Sequence, residues 1–171
     1  LGILHPASSG HLLWEFLRLA MLAWSFLSLA AFGAYLIVRE ERHQQYSLLI
    51  PVALTAVWSF GLFLMREIYP YPEILDIADV WTRYTLAIPG ALLASIGLIV
   101  QQREFRQAGM AEFGRDSLWA AVAFFWYGMV GQVFTRYSPL PPSNVINQGL
   151  FIELFGFPVQ LLRAGAAVLA S

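Results

Sequence analysis

The chain has no cysteine and no lysine, and only three histidines in 171 residues. Without cysteine there can be no disulfide, thiolate metal site or iron–sulfur cluster, and redox compartment cannot be read from the composition. Haem held by two imidazoles would need two histidines at matching depth in a helix bundle. Here His5 and His11 precede or open the first apolar stretch and His43 follows it, so neither haem within this chain nor a metal centre is expected. Charge is scarce as well. Only 12% of residues are Asp, Glu, Lys or Arg and the net charge is −1, against roughly 25% charged in an ordinary globular domain. With no clustered basic face, nucleic acid is excluded as a partner. No HExxH, GxSxG or Walker sequence occurs, and the adjacent Glu40 and Glu41 sit in a loop beside arginines, most simply as a solvated face. A catalytic constellation is missing, and the chain is not expected to be an enzyme.

What the chain does have is apolar length. It is 58% hydrophobic with a mean hydropathy of +0.62. Five stretches carry this excess: Leu12 to Val38, Ser47 to Met65, Tyr84 to Val100, Ser117 to Thr135 and Gly149 to Ala170. About twenty residues at ~1.5 Å each cross a hydrocarbon core ~30 Å thick. Backbone polar groups in lipid must be satisfied within the segment, and without period-2 alternation only helices do this. The sequence therefore predicts an all-α integral membrane bundle of five transmembrane helices forming one polytopic domain over residues 1–171. The lipid bilayer is its first partner. Five unequal stretches without internal duplication argue against a transporter built from inverted repeats. The opening LGILHPASSG lacks the basic and apolar regions of a signal peptide and begins with Leu1 rather than Met, so a fragment of a longer polypeptide is expected.

All ten positive charges are arginines, and their loops give a direction. The first connection carries Arg39 and Arg42, the third Arg103, Arg106 and Arg115. The second and fourth carry Arg66, Arg83 and Arg136, with Glu67, Glu73, Asp76 and Asp79 beside the first two. By the positive-inside rule, five arginines against three place the first and third loops in the cytoplasm. The N-terminus is then outside and Ser171 inside. Tyr69, Tyr71, Trp81 and Tyr137 suit an aromatic belt at the outer boundary, and residues 74–80 could form a short amphipathic helix on the outer surface.

Ionisable groups inside apolar stretches call for a partner or a purpose, since each costs ~2.5 to 3.5 kcal/mol on insertion scales. Glu15 and Arg18 are three apart on one helix face, a self-neutralising pair. Arg83 opens the third helix, where its stem can snorkel outward, although its pocket would be open to an anion. The fifth helix holds Glu153 near its outer end and Gln160 and Arg163 deeper, three apart on one face. Ten residues, ~15 Å, separate Glu153 from Arg163, too far for a direct pair. Gln132 and Trp126 of the fourth helix are candidate partners for Glu153; the inner loops, or lipid phosphate reached by snorkelling, are candidates for Arg163. Pro51, Pro89 and Pro158 fall near helix starts or at a kink. Small residues at Gly90, Ala94 and Gly97, at Gly128 and Gly131, and at Gly165 and Ala166 permit close helix approach, either within the bundle or between two copies.

Three segments, SFLSLAAFG (Ser25 to Gly33), LAIPGALLASIGL (Leu86 to Leu98) and FPVQLLRAGAAVL (Phe157 to Leu169), together resemble the N-terminal multi-helix membrane region of bacterial sensor histidine kinases and related signalling proteins. The resemblance covers most of the chain. It implies an input or anchoring domain in the bacterial cytoplasmic membrane, a homodimer, and a last helix that continues into a cytoplasmic output module, as in two-component systems. The phosphoacceptor and ATP-binding parts of such kinases are absent from these 171 residues. Two other readings stay open: a non-catalytic accessory subunit of a larger membrane complex, and a tryptophan-rich five-helix membrane protein binding tetrapyrrole or lipid, suggested by six tryptophans and SPLPPSN. Within the chain, the signal-relay candidates are Arg163, Gln160, Glu153, Gln132, Trp126 and Arg83, with the fifth helix as the moving element.

Overall fold

A computed structural model describes residues 9–38 and 41–169. Leu1, His5, Arg39, Glu40 and Ser171, which entered the reading of the start, first loop and end of the chain, lie outside the described residues, and so do the side chains of His11, Glu41, Arg42 and His43. Among the described residues the regular structure is all helical, without strands, and one isolated bridge joins Thr135 and Asn147.

No proline interrupts the chain between Pro6 and Pro51, and helix α1 runs uninterrupted over Ser9–Ile37. A 3-10 stretch at Glu41–Leu48 leads into α2, Leu49–Ile68. Helix α3, Glu73–Thr82, passes through a single π turn at Arg83–Ala87 into α4, Ile88–Gln107. The π turn lies directly before Pro89. Lacking an N–H, Pro89 cannot bond the carbonyl four residues back, and the N–H of Ile88 reaches five back to the carbonyl of Arg83. Helix α5, Ala111–Trp126, ends in a second π turn at Tyr127–Gly131. After a Pro-rich loop come α6, Gln148–Phe155, and α7, Val159–Leu169.

Helix α4 is the spine, with α1 packed along one side and α5 antiparallel along the other. Both contacts are made by small residues. A Cβ on Gly33 would lie 2.3 Å from the backbone of Leu93 and Ala94, and one on Gly90 2.9 Å from the carbonyl of Phe26. Backbones this close gain dispersion contacts that larger side chains would prevent. The Gly90, Ala94 and Gly97 stripe thus serves packing within the chain, whereas Gly165 faces open space. Between α4 and α5, the Ser95 hydroxyl donates to the carbonyl of Ala121 at 2.8 Å.

Three helical runs are long and apolar enough to cross a membrane: Leu12–Ile37, Gln44–Ile68 and Glu73–Gln107. A bent pair, α6 with α7, makes a fourth candidate, its halves meeting at 84°. The chain has the helices of a multi-pass membrane protein, but the expected boundaries change in three places. Residues 74–80 do form a helix, yet it does not lie on the outer surface. Ile77, Ala78, Asp79, Val80 and Thr82 are buried, and the helix continues into α4. Trp81 is no surface anchor either: its indole N–H donates to the carbonyl of Trp58 at 3.0 Å, and its ring occupies the space a Cβ on Gly61 would need.

The stretch Ser117 to Thr135 is not among the spanning candidates. Helix α5 carries Glu112, Arg115 and Asp116 in its first turns, and regular helix ends at Gly131, leaving about fifteen uncharged helical residues, ~22 Å at 1.5 Å each. The fifth stretch is broken, because Gly156 takes a left-handed conformation (φ 74°) and Pro158 follows it, ending α6 as a C-cap glycine does.

Candidate functional site

A chain of polar side chains runs from α1 past the first π turn to the residues that follow the second. On α1, Arg18 contacts Glu15 at 3.1 Å, the pair its spacing predicts, and reaches Asp79 of α3 at 3.9 Å. Asp79 is 3% exposed. Its carboxylate accepts from Nε of Arg83, one turn onward, at 2.9 Å. Arg83 Nη1 then donates to Oε1 of Gln132 at 2.8 Å, crossing to the residue that follows the second π turn. Beside this link the Tyr84 hydroxyl donates to the carbonyl of Val133 at 3.3 Å.

Arg163 completes the chain from α7. Its Nε donates to the carbonyl of Gly131, and its Nη2 donates to that of Phe134 at 3.2 Å. Gly131 ends the π turn and Phe134 lies in the loop beyond it, so neither carbonyl has a partner further along a helix, and a buried carbonyl needs one. A guanidinium suits this position because its planar fork carries several donors at fixed angles. Gly131 also makes room for it, since a Cβ there would stand 3.1 Å from Cγ of Arg163. The result is a path from α1 through α3, α4 and the end of α5 to α7.

Among the described residues, one atom in this path is unsatisfied. Gln132 is fully buried, and its Nε2 has no hydrogen-bond partner. Three guanidinium groups (Arg18, Arg83 and Arg163) share the path with two carboxylates (Glu15 and Asp79), leaving a formal excess of one positive charge.

The expected partners are redistributed accordingly. Arg83 does not snorkel; it lies inside the helix, paired with Asp79 and Gln132. Gln132 serves Arg83 and not Glu153, which is exposed on α6. Trp126 is also exposed, lining an apolar groove with Phe157 and Leu161. Arg163 bonds not to the inner loops but to the backbone carbonyls of Gly131 and Phe134, beyond the end of α5. Gln160 is exposed, and its Nε2 meets Oε1 of Gln148 across the α6–α7 break at 3.5 Å. Among the described residues no group of three or more His, Cys, Asp or Glu could hold a metal ion.

Asp79, the anion at the centre of the path, reads in the sequence only as one of four acidic residues of the second connection. The signal was present: Asp79 and Arg83 have the i,i+4 spacing of a helical ion pair. Comparison with known proteins gives no match, whether to a family model, a curated protein or a solved structure.

Proposed function

We propose that the chain is the membrane-embedded input domain of a bacterial signal-transduction protein, with α7 as the element that passes a signal toward the cytoplasm. The observation that carries this reading is the attachment of α7. It is set off from α6 by an 84° bend and fastened to the bundle by Arg163 at the carbonyls of Gly131 and Phe134. A short helix whose charged attachment lies at the end of a polar path that begins on α1, with Val159 and Ala166 buried against the bundle beside it, is an element that a stimulus can bias between two arrangements. In this reading α5 with its π turn and the α6–α7 pair complete five passes, with the N-terminus outside and α7 ending inside.

Dimerisation belongs to the same proposal. Leu161, Ala164, Gly165 and Val168 are exposed along α7 at i, i+3, i+4, i+7 spacing, the stripe through which two helices pack in a membrane.

The test is a fusion of residues 1–171 to the cytoplasmic half of a dimeric sensor kinase with a transcriptional reporter. Arg163→Leu and Arg83→Leu are expected to move basal output, while Val57→Ala, on the exposed side of α2, leaves it unchanged. An accessory subunit of a larger complex would give the same output from all three, and that result would end the signalling proposal.

A further inference from the structure

Between α1 and α7, floored by α5, lies an open groove of about 550 Å³ lined by Ser25, Phe26, Phe32, Tyr127, Ala166 and Ala167, among others. Its size is that of a small-molecule site, ~300 to 1,000 Å³. Its walls are mainly apolar, broken by the hydroxyls of Ser25, Ser28 and Tyr127. Ser28, another lining residue, bonds back to the carbonyl of Trp24 at 2.9 Å, as a serine in a membrane helix does when nothing else is offered. Ser25, an exposed residue open to this space, makes no such bond, and the hydroxyl of the half-buried Tyr127 has none either among the described residues.

These two groups lie at one level. The Phe26 carbonyl packs against Gly90, and the next residue of α4, Ala91, packs against Gly128; Ser25 and Tyr127 are their immediate neighbours in sequence. That level is near the middle of α1, sixteen residues from Ser9 and twelve from Ile37, or ~24 and ~18 Å at 1.5 Å each. At such a depth water is scarce, and an unmet hydroxyl is costly. Tyr127 also opens the second π turn, a local widening often found at functional sites.

We infer that this groove binds an uncharged, membrane-dissolved molecule with an apolar body and carbonyl acceptors, of the lipid-soluble quinone class, held by hydrogen bonds donated from Ser25 and Tyr127. Two donors without acceptors call for a ligand that accepts. A phospholipid headgroup resides at the boundary, not at mid-depth, and the lining residues include no charged group that would hold a carboxylate. Two ketone oxygens on an apolar ring meet both requirements. This inference goes beyond the signalling proposal and is independent of it, because binding is measured without any output domain.

The experiment is a titration of the protein in lipid nanodiscs with a decyl-substituted benzoquinone, read by quenching of intrinsic fluorescence and, with an azido derivative, by the site of photolabelling. Saturable quenching is expected, with labels on α1, α5 or α7. Ser25→Ala with Tyr127→Phe removes both donors while preserving shape and should weaken binding by about tenfold. Ala167→Phe, at an exposed lining position, should abolish it while leaving the unfolding temperature near that of the parent. Linear, non-saturating quenching would overturn the inference, as would saturable binding indifferent to both variants. Equal affinity for oleate with the same dependence on Ser25 and Tyr127 would overturn the carbonyl class. Disulfide-linked dimers from Ser25→Cys that block the titration would show that a second copy fills the groove instead.

Discussion

Arg163 of α7 donates through Nε to the carbonyl of Gly131, thirty-two residues earlier in the chain, and through Nη2 to that of Phe134. Two carbonyls beyond the end of α5 are satisfied by a side chain from another helix, so the termination of one element becomes the docking point of another. Arg163→Leu is expected to leave both unsatisfied, at ~1 to 3 kcal/mol each for a buried acceptor, and to free α7. A cysteine placed at Ala166, which is buried, should then react with a membrane-permeant thiol reagent far faster than in the parent. Arg163→Lys should give an intermediate rate, because an ammonium cannot reproduce the two-pronged geometry. Parent-like labelling in both variants would remove Arg163 as the fastening.

Gln132 offers a sharper test, since its Oε1 is bonded to Arg83 at 2.8 Å while its Nε2 is buried without a partner. Gln132→Glu replaces an unmet donor by an acceptor and neutralises the excess positive charge of the path. It should raise the thermal unfolding temperature in detergent, by an amount equivalent to ~1 to 3 kcal/mol. Gln132→Leu should lower it, because Arg83 loses an acceptor. If the glutamate variant unfolds below the parent, the charge count is wrong.

Asp79 is the only carboxylate bonded to Arg83 among the described residues. Removing one member of a buried pair strands the other, at a typical cost of 3 to 5 kcal/mol. Asp79→Asn should therefore destabilise the protein strongly, and Asp79→Asn with Arg83→Gln should recover part of the loss. Additive losses in the double variant would show that the two residues are not energetically coupled.

How far the sequence spoke for this arrangement depends on the kind of signal each element carries. Apolar length made α1 and α2 legible, with no proline inside α1 and Pro51 confined to the first turn of α2, and the three-residue spacing of Glu15 and Arg18 made their pair legible. Pro158 as a kink was legible because a missing N–H acts locally. The continuity of α3 with α4 was not, since Glu73, Asp76 and Asp79 resemble a polar loop until Arg83 and Arg18 are seen to neutralise the last of them. The partner of Arg163 was hidden for a different reason. It is a pair of backbone carbonyls, exposed only where a π turn ends regular helix, and no residue type announces that.

Glycine substitutions separate packing within the chain from packing between copies. A Cβ on Gly33 would stand 2.3 Å from the backbone of α4, which has no flexible end to move aside. Gly33→Ala must push α1 and α4 apart along their whole contact, and a loss of ~1 to 3 kcal/mol is expected, typical of overpacking. At Gly165 a Cβ would meet nothing within 4 Å. Gly165→Ala should therefore leave the unfolding temperature of the isolated protein unchanged or slightly raised, since alanine is the better helix former. Its effect should instead appear in self-association, measured by energy transfer between labelled copies in liposomes. If Gly165→Ala destabilises the monomer as much as Gly33→Ala, the open face of α7 is not where the structure places it; if it changes neither stability nor association, two copies do not meet through that stripe.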